Sequence, residues 1–177
     1  MTRSVLPAGL PDARLIMEIG DFATDIVMTY GDAPRLVRSL PIGLQTLVKA
    51  ASQNLDVENE RALQFIKKFG IEQDKLEGQV FHALEPSIEQ FVSEITKSVK
   101  FFQTKYPSIT VGGLIFSDYG VTIPALASYI ATKTGYPVTA GDPWQRVRVS
   151  DTDRQKLQDF SSQFSVAIGL AQRGGEA

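Results

Sequence analysis

The chain contains no cysteine, one histidine (His82) and one tryptophan (Trp144) in 177 residues. The missing thiols exclude disulfides, thiolate metal sites and a cysteine nucleophile. A lone histidine leaves no second imidazole for a zinc site and no pairing of two imidazoles at a nucleophile. His82 lies among Gln79, Phe81 and Leu84 at the front of a helical pattern and reads as a packing or helix-surface residue. No apolar run approaches the roughly 18 residues needed to span a bilayer. The opening "MTRSVLPAGLPDA" has no hydrophobic signal-peptide centre. Charge of either sign is not in excess: 18 Lys+Arg stand against 20 Asp+Glu, a formal net charge of −2. That argues against a general nucleic-acid or anionic-membrane surface. No G-x-x-x-x-G-K-[ST] loop is present, and "GDAPRLVRS" shares only its first glycine with one. The expectation is a cytoplasmic protein without direct membrane insertion.

What is present is the material of a packed domain. Hydrophobic residues make up 43%, and a chain of this length buries roughly 70% of its extended surface, so no metal or disulfide staple is needed. Residues 1–12, with Pro7, Gly9 and Pro11, read as an extended lead-in. Three short β-patterns follow, at Arg14–Ile19, Asp25–Tyr30 and Pro34–Leu40, with a Gly31-Asp32 turn signal between the last two. Helical spacing begins at Leu44 and runs through Leu47, Val48 and Ala51. Asp56 is a candidate cap for a second helix that Gly70 stops. Residues 78–104 carry the strongest period: Val80, Leu84, Ile88, Phe91, Ile95, Val99 and Phe102 form one stripe, with Pro86 placed to kink it. "ITVGGLIFS" (109–117) returns to strand, a helix follows at about 123–134, then Gly135, a short strand "PVTAG", a loop through Trp144, and a last helix at about 156–172. Three meandering strands, a helical insert at about 44–76, and a closing β-α-β-α predict an α/β domain over 13–173. Its sheet is five-stranded and mixed with helices on both faces, the ribonuclease H-like layout, and 174–177 form a tail.

Four stretches resemble the PilM family of type IV pilus assembly proteins, actin-like relatives of the cell-division protein FtsA. They are "IMEIGDFATDIVMTYGDAPRLVRSLPIG", "LEPSIEQFVSEITKSVKFFQTKYPSITVGGLIFS", "IPALASYIATKTGYPVTAGDPWQRV" and "FSVAIGLAQR", together covering nearly all of 13–173. The resemblance implies the C-terminal half of an actin-like ATPase fold, with the first phosphate loop and the partner-binding half absent. It places tentative nucleotide loops at Glu18, Gly20 and Thr24, and at Ser117, Asp118 and Gly120. Glu18 stands where the family carries aspartate, Asp21 and Phe22 crowd the loop, and "SDYG" replaces a glycine pair; the plainer reading, a solvated strand corner at the first loop and a simple turn made by Gly120 at the second, is preferred to a ligand role. No catalytic or metal residue is assigned. No cofactor is expected for this chain alone, with ATP and Mg²⁺ tied to the missing half. The implied function is a cytoplasmic scaffold, peripheral to the inner membrane through a PilN-type protein, with self-association through an exposed interlobe surface. The alternatives are an FtsA-like protein and a ribonuclease H-like kinase or nuclease half, in which Glu18, Asp118 and Asp159 would be the acids.

Overall fold

The computed structural model describes residues 1–31, 33–150, 152, 153, 157 and 162–174. Strands β1 (Ala13–Ile19), β2 (Thr24–Tyr30) and β3 (Ala33–Leu40) form the antiparallel meander. β4 (Val111–Asp118) lies parallel to β1 on its other side, and β5 (Val138–Ala140) lies parallel to β4. The order is β3-β2-β1-β4-β5, the expected mixed sheet. β1 is central, so both its faces are covered, which is why "ARLIMEI" is apolar at consecutive positions.

One face turns Leu15, Met17, Ile19, Ile26, Met28, Leu114 and Phe116 into the main core. Helices α2 (Leu44–Leu55), α3 (Asn59–Phe69), α4 (Gln79–Lys105) and α6 (Leu126–Thr134) all contribute side chains to that core. The stripe on α4 is fully buried from Leu84 through Ile88, Phe91 and Ile95. Each such side chain contributes roughly 1.5–3 kcal/mol by leaving water. α4 runs unbroken through Pro86, whose missing N–H leaves the His82 carbonyl on the exposed side of the helix. A short turn, α5 (Tyr119–Thr122), links β4 to α6.

On the opposite face, Ile16 and Ile115 pack with Val5 and Leu6. The first residues are therefore not wholly extended: Thr2–Val5 form a helical turn, α1, against α7 (Ser165–Ala171). Burial of Val5 and Leu6 stabilises this turn, and Pro7 interrupts the chain only after it. The loop after β5 holds α1 in place: Gln145 donates to the Ser4 carbonyl and Arg146 to that of Leu6. Trp144 stacks at a tilt on Phe164, 5.8 Å away, so it fills space toward the closing helix. Of the long final helix expected at 156–172, the described part is α7; residues 154–156 and 158–161 lie outside the described residues.

Asp56 differs from its expected role. It ends α2 in the left-handed region (φ 52), its amide donating to Ser52, and Glu58 precedes α3 instead. Gly112 has a packing reason: a Cβ there would lie 1.7 Å from Asp12 Oδ2, where that carboxylate pairs with Arg14 at 2.9 Å.

Candidate functional site

Parallel pairing of β1 with β4 sets Glu18 beside Ser117 and Ile19 beside Asp118. Two segments 99 residues apart in the chain thus meet at the carboxyl ends of the strands, where open α/β sheets place ligands.

The β1–β2 turn is closed by Gly20 N–H donating to the Ala23 carbonyl at 2.9 Å. Gly20 is not in the left-handed region; its constraint is contact, because a Cβ would stand 3.2 Å from Ala23 O. The start of α2 docks on this turn. Leu44 N–H donates to Gly20 O and Gln45 N–H to Asp21 O, each at 2.9 Å. Gly43 makes that approach possible, since a Cβ there would fall 2.6 Å from both carbonyls. Thr24 is fully buried and its hydroxyl donates to Ile42 O at 2.6 Å. The first free amides of α2, which could otherwise meet an anion, are engaged by the loop itself. Phe22, at the tip, is 79% exposed.

Ser117 is equally committed. Ser165 Oγ donates to Ser162 O at 2.6 Å, so Ser117 Oγ, 2.5 Å from Ser165 Oγ, is the donor of that pair. Ser4 Oγ donates to Ser165 O at 2.6 Å. The buried hydroxyls tie α1, β4 and α7 together. Nothing local in the sequence marks Ser4 or Ser165, and the chain of hydroxyls escapes sequence reasoning.

The tight turn after β4 is made by Asp118, which adopts φ 53 and ψ −130, and not by Gly120. Gly120 is buried, and a Cβ there would meet Phe116 only at ordinary contact distance, 3.4 Å. Asp118 Oδ1 is buried and finds no hydrogen-bond partner among the described residues. Burial, and then the nearby Asp21 charge, push its carboxyl up to about 6, against a weak opposing bond from the Tyr119 amide. Glu18 is raised as well, first by burial and further by Asp118 and Asp25, while the Met1 amino group opposes. Burial chiefly, then Asp21, raises the Tyr119 phenol. Asp21, which looked only like an obstruction in the sequence, is an electrostatic member of the site. Among the described residues no three His, Asp or Glu side chains converge as metal ligands. The strand ends therefore present mutually repelling carboxylates over a loop whose donors are already engaged, an arrangement that takes up protons or a cation more readily than a bare anion.

A family model described as type IV pilus assembly protein PilM matches residues 2–175. No curated protein sequence matches the chain. Among solved structures, a chain of the PilM-PilN type IV pilus biogenesis complex is similar with TM-score 0.78 and 24% identity, covering 94% of this chain and 47% of that one. The ethanolamine utilization protein EutJ from Carboxydothermus hydrogenoformans is similar with TM-score 0.64 and 13% identity, over 92% of this chain and 50% of that one. MreB 5 of Spiroplasma citri bound to AMPPNP gives 0.65 and 12%, over 93% and 53%. This chain spans about half the length of each, and its fold is the ribonuclease H-like lobe of the actin-like ATPases. With the match running over nearly every residue, the chain belongs to the type IV pilus assembly protein PilM family.

Proposed function

We propose that this chain acts through protein contacts as a scaffold lobe of type IV pilus assembly, on the cytoplasmic side of the inner membrane and joined to it by a PilN-type protein. Family membership supports the pilus assignment, and the PilM-PilN complex supports the partner. One observation carries the non-catalytic part: the β1–β2 loop is closed by α2, with the Leu44 and Gln45 amides and the Thr24 hydroxyl bound internally. Phosphoryl transfer needs donors aimed at the developing charge from both sides of a cleft. Here Glu18, Asp21 and Asp118 offer carboxylates instead. Should a second lobe complete the cleft, Glu18, Gly20, Asp118 and Gly120 would border it, while Thr24 and Ser117 would support it from behind.

Calorimetric titration of the chain with ATP, with and without Mg²⁺, is expected to give no saturable heat in the micromolar range. A micromolar Kd would overturn the degenerate-site reading. Capture of a longer protein containing this lobe by the cytoplasmic segment of a PilN-type protein tests the scaffold part; no capture would sink it.

A further inference from the structure

On the side where the helical insert, α4 and α6 meet, a groove remains open. Two adjoining hollows, of about 480 and 380 Å³, share Gln73, Tyr129 and Lys133. The floor is aromatic. Tyr129 meets Phe81 edge-on at 5.7 Å and its hydroxyl donates to Glu89 Oε1 at 2.6 Å. Lys133 is already balanced by Glu89, with Nζ 2.8 Å away and 5.2 Å from the Tyr129 ring centroid. The rim is acidic: Glu72 and Asp74 border one hollow and Glu85 the other. Asp74 meets Lys75 only at 3.8 Å, Glu85 faces His82 at 3.6 Å, and Glu72 forms no ion pair among the described residues. Of the six carboxylates between Glu72 and Glu94, Glu89 is paired with Lys133 and Glu94 with Lys97 and Arg38, which leaves Glu72, Asp74, Glu77 and Glu85 against one lysine, Lys75. The whole protein is nearly neutral, so this is a local concentration of charge.

A second feature follows Asp74 in the chain. Leu76 and Glu77 occupy consecutive left-handed positions (φ 48 and 55), a conformation that side chains disfavour, and Leu76 is 44% exposed. The strained turn displays an apolar side chain two residues along the chain from Asp74.

We propose that this groove receives a lysine- or arginine-rich segment of a partner protein. One cation sits against Glu72 and Asp74 and another against Glu85, and an apolar neighbour rests on Leu76 and Tyr129. Charge complementarity selects this occupant: the rim carboxylates Glu72, Asp74 and Glu85 repel phosphates and acidic segments, and Lys133, already paired with Glu89, does not offset them. The groove is separate from the strand-end loops, and its occupancy is independent of whether those loops bind nucleotide.

Fluorescence anisotropy of the full chain with a labelled twelve-residue peptide of alternating lysine and leucine tests this, at about 50 and about 300 mM salt. The charge-removing pair Glu72→Gln/Glu85→Gln is compared with Glu58→Gln/Glu60→Gln at the start of α3, which removes the same charge elsewhere; circular dichroism checks that both fold. The groove pair is expected to weaken binding at least about tenfold, with the α3 pair within about twofold of the unchanged protein. Equal loss in both pairs, or no binding at either salt concentration, overturns the proposal. Concentration-dependent dimerisation that the groove pair abolishes would also overturn it, since the occupant would then be a second copy, whose α3 carries Lys67 and Lys68.

Discussion

The half-buried carboxyl of Asp118 makes the sharpest prediction. Its pKa stands at about 6 against an ordinary value of 3.8. Each pKa unit corresponds to about 1.4 kcal/mol, so the full difference corresponds to about 3 kcal/mol. Partial contact with solvent reduces this to about 1–2 kcal/mol. The sign follows from proton binding. Between the unfolded and folded pKa values the folded chain holds more protons, so this group's contribution to stability falls as pH rises from about 4 to about 6 and is flat above. Asp118→Asn removes the charge while keeping the shape, the strained backbone and an acceptor for the Tyr119 amide. The variant is therefore expected to be more stable than the unchanged protein by about 1–2 kcal/mol at about pH 7.5, about 3–6 °C in Tm for a domain of this size. At about pH 4.5 roughly half of that gain should remain. Urea denaturation at the two pH values reads it directly. A variant equally stable at high pH, or one whose gain is the same at both, would refute the assignment of a penalised charge.

Gly43→Ala drives a Cβ to 2.6 Å from two carbonyls that accept from α2, and should lower stability by about 2–3 kcal/mol in the same assay. A loss under about 0.5 kcal/mol would mean the helix start yields easily, and the closed-loop account would fail. Glu94→Gln runs opposite to Asp118 in pH. Lys97 and then Arg38 hold the Glu94 carboxyl below the usual range, so its stabilisation is present above the unfolded value of 4.5 and is lost as pH falls through the folded value. The variant should lose roughly 1 kcal/mol at neutral pH, with the difference shrinking below about pH 4; a pH-independent difference would contradict the ion pairs.

The scaffold of this lobe is legible in one sequence because its signals are local and repeated. The α4 stripe recurs every three or four residues, and the continuous apolar run of β1 marks a strand covered on both faces. Even the meeting of Glu18 with the 117–118 segment follows once β4 is placed parallel to β1. What escapes is set by partners far along the chain. Thr24 finds Ile42 across 18 residues, and Ser117 finds Ser165 across 48. The α1 turn forms because Val5 and Leu6 reach Ile16 and Ile115, and four residues carry no helical period of their own.

The same distinction explains why the glycines and threonine of this loop are no measure of its chemistry. Gly20, Thr24 and Gly43 each have a packing reason to be what they are: Gly20 by its nearness to Ala23, Thr24 by its bond to Ile42, and Gly43 by the approach of α2. Replacing any of them disturbs the hairpin whether or not a phosphate ever binds, so their presence is no measure of nucleotide use. Glu18 and Asp118 are different. Both carboxyls are raised by burial, which opposes their charged forms, and Asp118 has an oxygen with no partner among the described residues. Packing alone would be better served there by uncharged side chains. If any residues at this end still answer to a ligand, they are these two acids, and the discriminating evidence is their response to cations and protons, not the survival of the glycines.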